Sequence, residues 1–261
     1  MRFSSLKILL VSSCLLLVNS SFAEQTAQKP IAKDTKAAIT AAINHHNRPF
    51  EDRIQDTKRL PQAILEYFDI KPGSVVLDVL AGSGYYSELF SKVVGDKGKV
   101  IIHNDKHFLK YYGKGLAKRL GDGKRLANAE RIDISLNVLG LEENSLDTIF
   151  IGLGYHDFYY VFENETINVP KVLAKFKKFL KPGGTIAVID HEALEGAPSS
   201  VGHSLHRIDP KLVKADMKSA GFSFDGELPI LLNSTDDKSK KIWDIPNRKT
   251  SRFVYRFKNS K

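Results

Sequence analysis

The sequence predicts an α/β protein: a doubly wound, Rossmann-like, mostly parallel seven-stranded sheet with an antiparallel hairpin strand at its C-terminal edge. Three observations predict it. From residue 61 onward, short β-branched runs alternate with helix-length amphipathic segments, and strands joined in that way need parallel crossovers. The first run, VVLDV, ends at a glycine pair in LAGSG, just where the next helix begins. The last two runs have no helix between them, so they should pair antiparallel at one edge.

The elements follow in order. Residues 24–40 are polar and alanine-rich, a loose lead-in, and 41–68 reads as helical, with Leu60, Ile64, Leu65 and Phe68 on one stripe. Pro72-Gly73 breaks that helix, and 74–79 is a strand. A helix over 85–94 is closed by Gly95 and Gly98, a strand follows over 99–103, and Phe108, Leu109, Leu116 and Leu120 mark the next helix. Strands are expected over 131–134 and in the buried run LDTIFIGL. A helix over 169–180 stops at KPGG, before a strand over 185–190. A helix over 210–220, capped by Gly221, precedes strands near 222–232 and 252–257.

Composition bounds the rest. Arg2 and Lys7, the apolar run 8–18 and the small residues of Ser21-Phe22-Ala23 have the layout of a secretory leader. The chain is therefore expected to be exported to the periplasm, with no stable membrane insertion after cleavage. A lipoprotein form is disfavoured because the apolar run continues past Cys14, the single cysteine, so the remaining chain has no thiol chemistry. The expected organisation is a leader over 1–23, an N-terminal extension and helix over 24–60, and one domain over 61–261. Of 39 basic residues, removing Arg2 and Lys7 leaves 37 against 30 acidic ones, a formal +7. The excess is spread along the chain and no nucleic-acid motif accompanies it, so a solvated basic surface is expected and a nucleic-acid partner is not.

In a doubly wound sheet, ligands bind beyond the carboxyl ends of the strands. Gly82 and Gly84 stand there, after Asp78. A dinucleotide fingerprint would want glycine or alanine where Ser87 stands. Asp78, the glycine pair, LKPGG and the terminal hairpin together resemble class I S-adenosylmethionine-dependent methyltransferases, over about residues 61–257. Within that superfamily the chain looks most like the exported, signal-peptide-bearing methyltransferases of bacteria. That narrower likeness rests on RLP at 59–61, AGSGYYSELF, YHD at 155–157, IDH at 189–191, LHRID at 205–209 and RFVYRF. The resemblance implies S-adenosylmethionine as donor, held by Asp78, Leu80, Ala81, Gly82, Ser83 and Gly84. It puts Leu80 where the family motif has its first glycine. It puts Asn104, with Asp105 beside it, where the family has an acidic ribose partner, and it implies Asp133 and Tyr155 near the donor as well.

Three histidine-bearing segments should meet at the carboxyl edge of the sheet: Tyr155-His156-Asp157, Asp190-His191-Glu192 and the loop from His203 to Arg207. Methyl transfer to a hydroxyl or amine needs an aligned nucleophile and a proton acceptor, which points to His156 or His191 as base, with Asp157 or Asp190 orienting a ring and His206 nearby. The expected acceptor is a small molecule. A rival reading has His156, His191 and His206 bind a metal with a carboxylate. Their spacing fits no compact ligand motif, so no metal ligand is assigned. A further rival is an adenosyl- or metabolite-binding protein without turnover, which Leu80 and Asn104 favour. Arg207 is expected to pair with Asp209 or with the donor, and Trp243 and Tyr255 to pack.

Overall fold

The computed structural model describes residues 31–121 and 123–260. The leader-like segment 1–23 lies outside the described residues. One sheet carries seven strands, β1 (Val75–Val79), β2 (Lys99–Asn104), β3 (Ala129–Asp133), β4 (Leu146–Gly152), β5 (Leu180–His191), β6 (Phe222–Glu227) and β7 (Arg252–Asn259), in the order β3-β2-β1-β4-β5-β7-β6. β1 to β5 run parallel, and β7 lies antiparallel between β5 and β6. The fold expected from the sequence is the fold found.

Alternation along the strands builds the two faces. Leu77 and Val79 of β1 and Ile149 and Ile151 of β4 join one buried cluster, which α6 (Val169–Phe179) and α8 (Pro210–Ser219) cover through Phe176, Val213 and Met217. The intervening Val76 and Phe150 enter a second cluster on the opposite face. That is the period of two a central strand requires, with both faces apolar because both are covered. α4 (Tyr85–Val94) covers the second face with Leu89, Phe90 and Val93.

Three boundaries differ from expectation, each for a physical reason. The alanine-rich lead-in is ordered from Lys33: α1 (Lys33–Ile43) places Thr35, Ile39 and Ala42 on one face, and Ile39 is fully buried in the second cluster. The single helix expected over 41–68 is split into α1, α2 (Phe50–Arg59) and α3 (Pro61–Tyr67). Leu60, in a left-handed conformation at φ 45°, turns the chain before Pro61. β6 stops at Glu227 because Pro229 opens a 3-10 turn, and a long connection rather than a tight hairpin leads to β7.

Among the described residues no helix is long and apolar enough to cross a membrane. The carboxyl ends of β1, β2, β4 and β5 open onto one rim. Over that rim stand α5 (Lys106–Leu120), α7 (Val201–Leu205) and the segment 242–252.

Candidate active site

β1 ends at Asp78-Val79, and the chain turns through Leu80 at φ 50°, Gly82 at 59° and Gly84 at 80° before α4 begins. Leu80, at the first glycine position of the family motif, thus adopts a backbone conformation that costs a side-chain-bearing residue about 1–2 kcal/mol. Its side chain is not on the rim. It is 2% exposed, belongs to the core and packs against Gly154. The loop is clamped from β2. The Asn104 amide accepts from the Gly82 N–H at 2.8 Å and donates to the Gly82 carbonyl oxygen at 3.0 Å. Asn104 is fully buried, so it serves the loop rather than a ribose. The Ala81 N–H donates to the His103 carbonyl oxygen, and the Arg119 side chain of α5 donates to the Ser83 carbonyl oxygen.

Asp78 lies behind the loop at 3% exposure and accepts from the Ser87 hydroxyl at 2.6 Å. Burial pushes its carboxyl up to about 7, against the Ser87 hydrogen bond and the nearby Arg59. Asp105 uses one oxygen to cap α5, accepting from the Phe108 N–H at 2.9 Å. Two expected donor contacts are elsewhere. Asp133 is exposed and bonds Arg131 at 2.6 Å. Tyr155 is fully buried in the core with its hydroxyl on Asp216 at 2.8 Å, because the turn after β4 points it toward α8.

The histidine segments do converge. The His156 ring is 2% exposed, and its Nδ1 meets Asp190 Oδ1 at 2.8 Å. Its Nε2 faces His206 Nδ1 at 3.2 Å and Asp157 Oδ2 at 3.3 Å, and Asp157 Oδ1 is 3.7 Å from His206 Nδ1. α7 brings His206 in: Gly202 crosses so close to the His156 turn that a Cβ there would stand 2.5 Å from the His156 carbonyl oxygen. His206 then caps α7 at φ 54°, another left-handed position held by a side-chain-bearing residue. His191 is near but engaged elsewhere, its Nδ1 on the Thr250 hydroxyl at 2.7 Å. Thr250 and Asp190 give the histidines their orientation. IDH made Asp190 visible in the sequence, whereas no motif marked Thr250.

Charge separates the three rings. Burial pulls His156 down, but the Asp157 and Asp190 carboxylates outweigh it and push the ring up to about 9. Burial drives His206 down to about 4, helped by the charge on His156, and drives His191 well below the usual histidine value. Asp157 is pushed up to about 6 by burial, against the pull of His156. Asp190 is opposed by its burial, yet the His156 charge and hydrogen bonds hold it below the usual carboxylate range. Near neutrality the cluster is therefore a charged His156 between two carboxylates, with neutral His206 as a further acceptor.

This cluster forms the floor of a cavity of about 820 Å³, whose walls include Phe108, Tyr111, Tyr112, Tyr160 and Trp243. Trp243 is 47% exposed with its ring 4.4 Å from that of His206, so it lines the cavity instead of packing inside, whereas Tyr255 does pack in the core. Arg207 is fully buried and bonds Asp236 rather than Asp209. A recess of about 60 Å³ beside Asp105, Phe108 and Ser135 adjoins the cavity through Asp157 and Tyr160. A cavity of this size suits a nucleoside-sized ligand together with a small second one. Tyr112 stands between it and the glycine loop, its ring 3.6 Å from where a Gly82 Cβ would be. A half-exposed side chain, not backbone, thus closes that passage. The residues present fit an adenosyl donor at the Gly82 loop and Asp105.

Comparison with known proteins agrees with this architecture. A profile of the ubiE/COQ5 methyltransferase family matches residues 55–209. The ubiquinone/menaquinone biosynthesis C-methyltransferase UbiE of Photorhabdus laumondii is 24% identical over 201 residues, 74% of this chain and 76% of that one. The same enzyme of Escherichia fergusonii is 25% identical over 61% of this chain, which spans 62% of that relative. Among solved structures, a SAM-dependent methyltransferase from Aquifex aeolicus superposes with a TM-score of 0.53 at 24% identity, covering 79% of this chain and 95% of its own. A putative sarcosine dimethylglycine methyltransferase from Galdieria sulphuraria gives 0.52 at 16% identity, over 80% and 85%.

Proposed function

The chain belongs to the ubiE/COQ5 methyltransferase family, as an S-adenosylmethionine-dependent enzyme, and on that premise we propose that it methylates a small-molecule acceptor seated against His156, Asp157 and His206. The observation that carries this reading is that Asp157 is, among the described residues, the single carboxylate on the cavity wall, beside a charged imidazole held from behind by Asp190. The donor supplies an electrophilic methyl group on a sulfonium sulfur. The chain's own residues position the acceptor and take its proton. Asp157 receives it, because its carboxyl lies near neutrality and reaches the cavity. His156, charged and fixed by Asp190, steadies the anionic form of Asp157. This replaces the imidazole base expected from the sequence. His156 already holds its second proton near neutral pH, and His191 is tied to Thr250. Asp105 and the loop clamped by Asn104 would hold the donor.

The test is methyl transfer to a panel of small hydroxyl- and amine-bearing compounds, read as S-adenosylhomocysteine formed. Asp157→Asn should keep S-adenosylhomocysteine binding and lose about 10²–10⁴-fold in turnover, the range for a general base. Full turnover in that variant would sink the assignment.

A second reading is favoured by spacing. The 3.2 Å between His156 Nε2 and His206 Nδ1 is close to the roughly 3.3 Å edge of a tetrahedron around an ion bonded at about 2.0 Å, and each ring nitrogen has an Asp157 oxygen within reach, Oδ2 at 3.3 Å and Oδ1 at 3.7 Å. Asp190 stands behind His156 as carboxylates stand behind metal-bound imidazoles. In that reading His156, Asp157 and His206 would hold a divalent ion, which would supply a Lewis acid for the acceptor oxygen, and His191 would stay outside the ligand set. Export to the periplasm stays part of the proposal. It rests on residues 1–23 and is checked by N-terminal sequencing of the protein from a periplasmic fraction.

A further inference from the structure

One wall of the cavity is cationic and lacks counter-charge. Lys58, Arg59, Arg248 and Arg252 line it, against Asp157 as the single lining carboxylate among the described residues. Four other arginines are matched with carboxylates: Arg48 with Asp56, Arg119 with Asp52 and Glu88, Arg125 with Glu88, Arg207 with Asp236. The cations on this wall make other contacts instead. Lys58 donates to the Asn247 carbonyl oxygen at 3.2 Å, and Arg59 lies over the Tyr85 ring at 4.2 Å.

Arg252 carries the argument. It opens β7 opposite His191, is 9% exposed, and its Nε has no hydrogen-bond partner. Its Nη2 donates to the Lys58 carbonyl oxygen at 2.6 Å. Burial lowers its pKa and the like charge of Arg59 adds to that, while Tyr86 acts the other way. The acid that acts on Arg59 from below, Asp78, is itself pushed toward the neutral form by burial. A buried guanidinium with no carboxylate beside it and an unsatisfied Nε is costly, and a bound anion would relieve both. The donor does not supply it on balance. With a sulfonium, an ammonium and one carboxylate it is a net cation, and it adds to the positive charge already present.

We propose that the Arg59–Arg252 wall is the subsite for an anionic group of the acceptor, a carboxylate or a phosphate, so that the substrate class is small acidic molecules. This rests on the methyl-transfer reading and narrows it. Guanidinium forks grip both kinds of oxyanion in bidentate fashion, and Asp157, which lines the same cavity, takes the proton of the acceptor's hydroxyl or amine.

The experiment is calorimetric titration of the full chain, saturated with S-adenosylhomocysteine, with inorganic phosphate and separately with succinate. Saturable binding of at least one anion is expected, weakened about tenfold or more in Arg252→Met and by added salt. Which anion binds identifies the group. Arg248→Met, at an exposed position, should weaken it less, and circular dichroism checks that each variant is folded. If the wild type binds S-adenosylhomocysteine but neither anion, this inference falls and the methyl-transfer reading stands. If it binds no S-adenosylhomocysteine, both fall. If Arg252→Met weakens S-adenosylhomocysteine but not 5′-methylthioadenosine, which has no carboxylate, the wall serves the donor and the inference is overturned.

Discussion

Asp190 grips His156 at two points, its Oδ1 on the ring Nδ1 at 2.8 Å and its Oδ2 on the backbone N–H at 2.7 Å. A third contact, from the His191 N–H to Oδ1 at 2.7 Å, fixes the carboxylate itself. One buried side chain thereby joins the end of β5 to the turn after β4 and sets both the direction and the charge of the His156 ring.

Asp190→Asn keeps the shape but turns an NH₂ group toward a donor. Breaking a buried charged pair costs about 3–5 kcal/mol, so a large drop in the denaturation midpoint is expected. The His156 pKa should fall from about 9, because one of the two carboxylates that raise it is gone. Histidine NMR titration reads this directly, and an unmoved His156 would show that Asp190 does not set its charge.

The same shift makes stability depend on pH, with a definite sign. The folded His156 value of about 9 lies above the unfolded 6.5. The stabilisation it contributes is therefore complete below pH 6.5 and is lost as pH rises through about 9. In metal-free protein, urea midpoints should fall between pH 7 and pH 10 more steeply in the wild type than in His156→Gln. Parallel slopes would mean that the ring is not charged in the fold.

Much of this was legible in the sequence, and the gaps have physical reasons. The helix expected over 85–94 is the observed α4, because an apolar stripe between glycines leaves little freedom. YHD and LHRID led to the His156–Asp157–His206 cluster, since strand-end loops in this fold share one rim. What period and motif do not encode is where a side chain points. Asn104 turned inward to clamp Gly82, Tyr155 turned to Asp216, and Leu80 entered the core. Arg252 and Thr250 belong to the site only because β7 inserts beside β5, a pairing that brings together residues some sixty positions apart.

Gly82 is the sharpest test of the donor loop. At φ 59° it occupies left-handed space, and a side chain there meets the Tyr112 ring. Gly82→Val should cost about 1–2 kcal/mol in stability from the backbone alone, leaving a folded protein. S-adenosylhomocysteine binding should fall by at least about a hundredfold as the loop loses its approach to the ligand. Normal affinity in the folded variant would place the donor away from this loop.

The proton and the metal ion make opposite demands on the His156–Asp157–His206 cluster, and cobalt separates them. If a proton bridges the cluster, chelator-treated protein titrated with Co²⁺ at pH 7 should show no saturable visible absorption, because a charged His156 repels a cation. If the spacing is that of a coordination site, one equivalent should bind with the strong visible bands of a four-coordinate ion. Binding should also become weaker as pH falls and protons compete for the imidazoles. His206→Ala should abolish those bands and leave S-adenosylhomocysteine binding intact, since His206 lines the cavity with the His156–Asp157 cluster and makes no contact with the Asn104 clamp on Gly82. His191→Ala should leave them in place, because its Nδ1 is engaged by Thr250 and the ring stands outside the three-residue set. Loss of the bands in His191→Ala would instead put that imidazole back among the ligands, as the sequence alone had allowed.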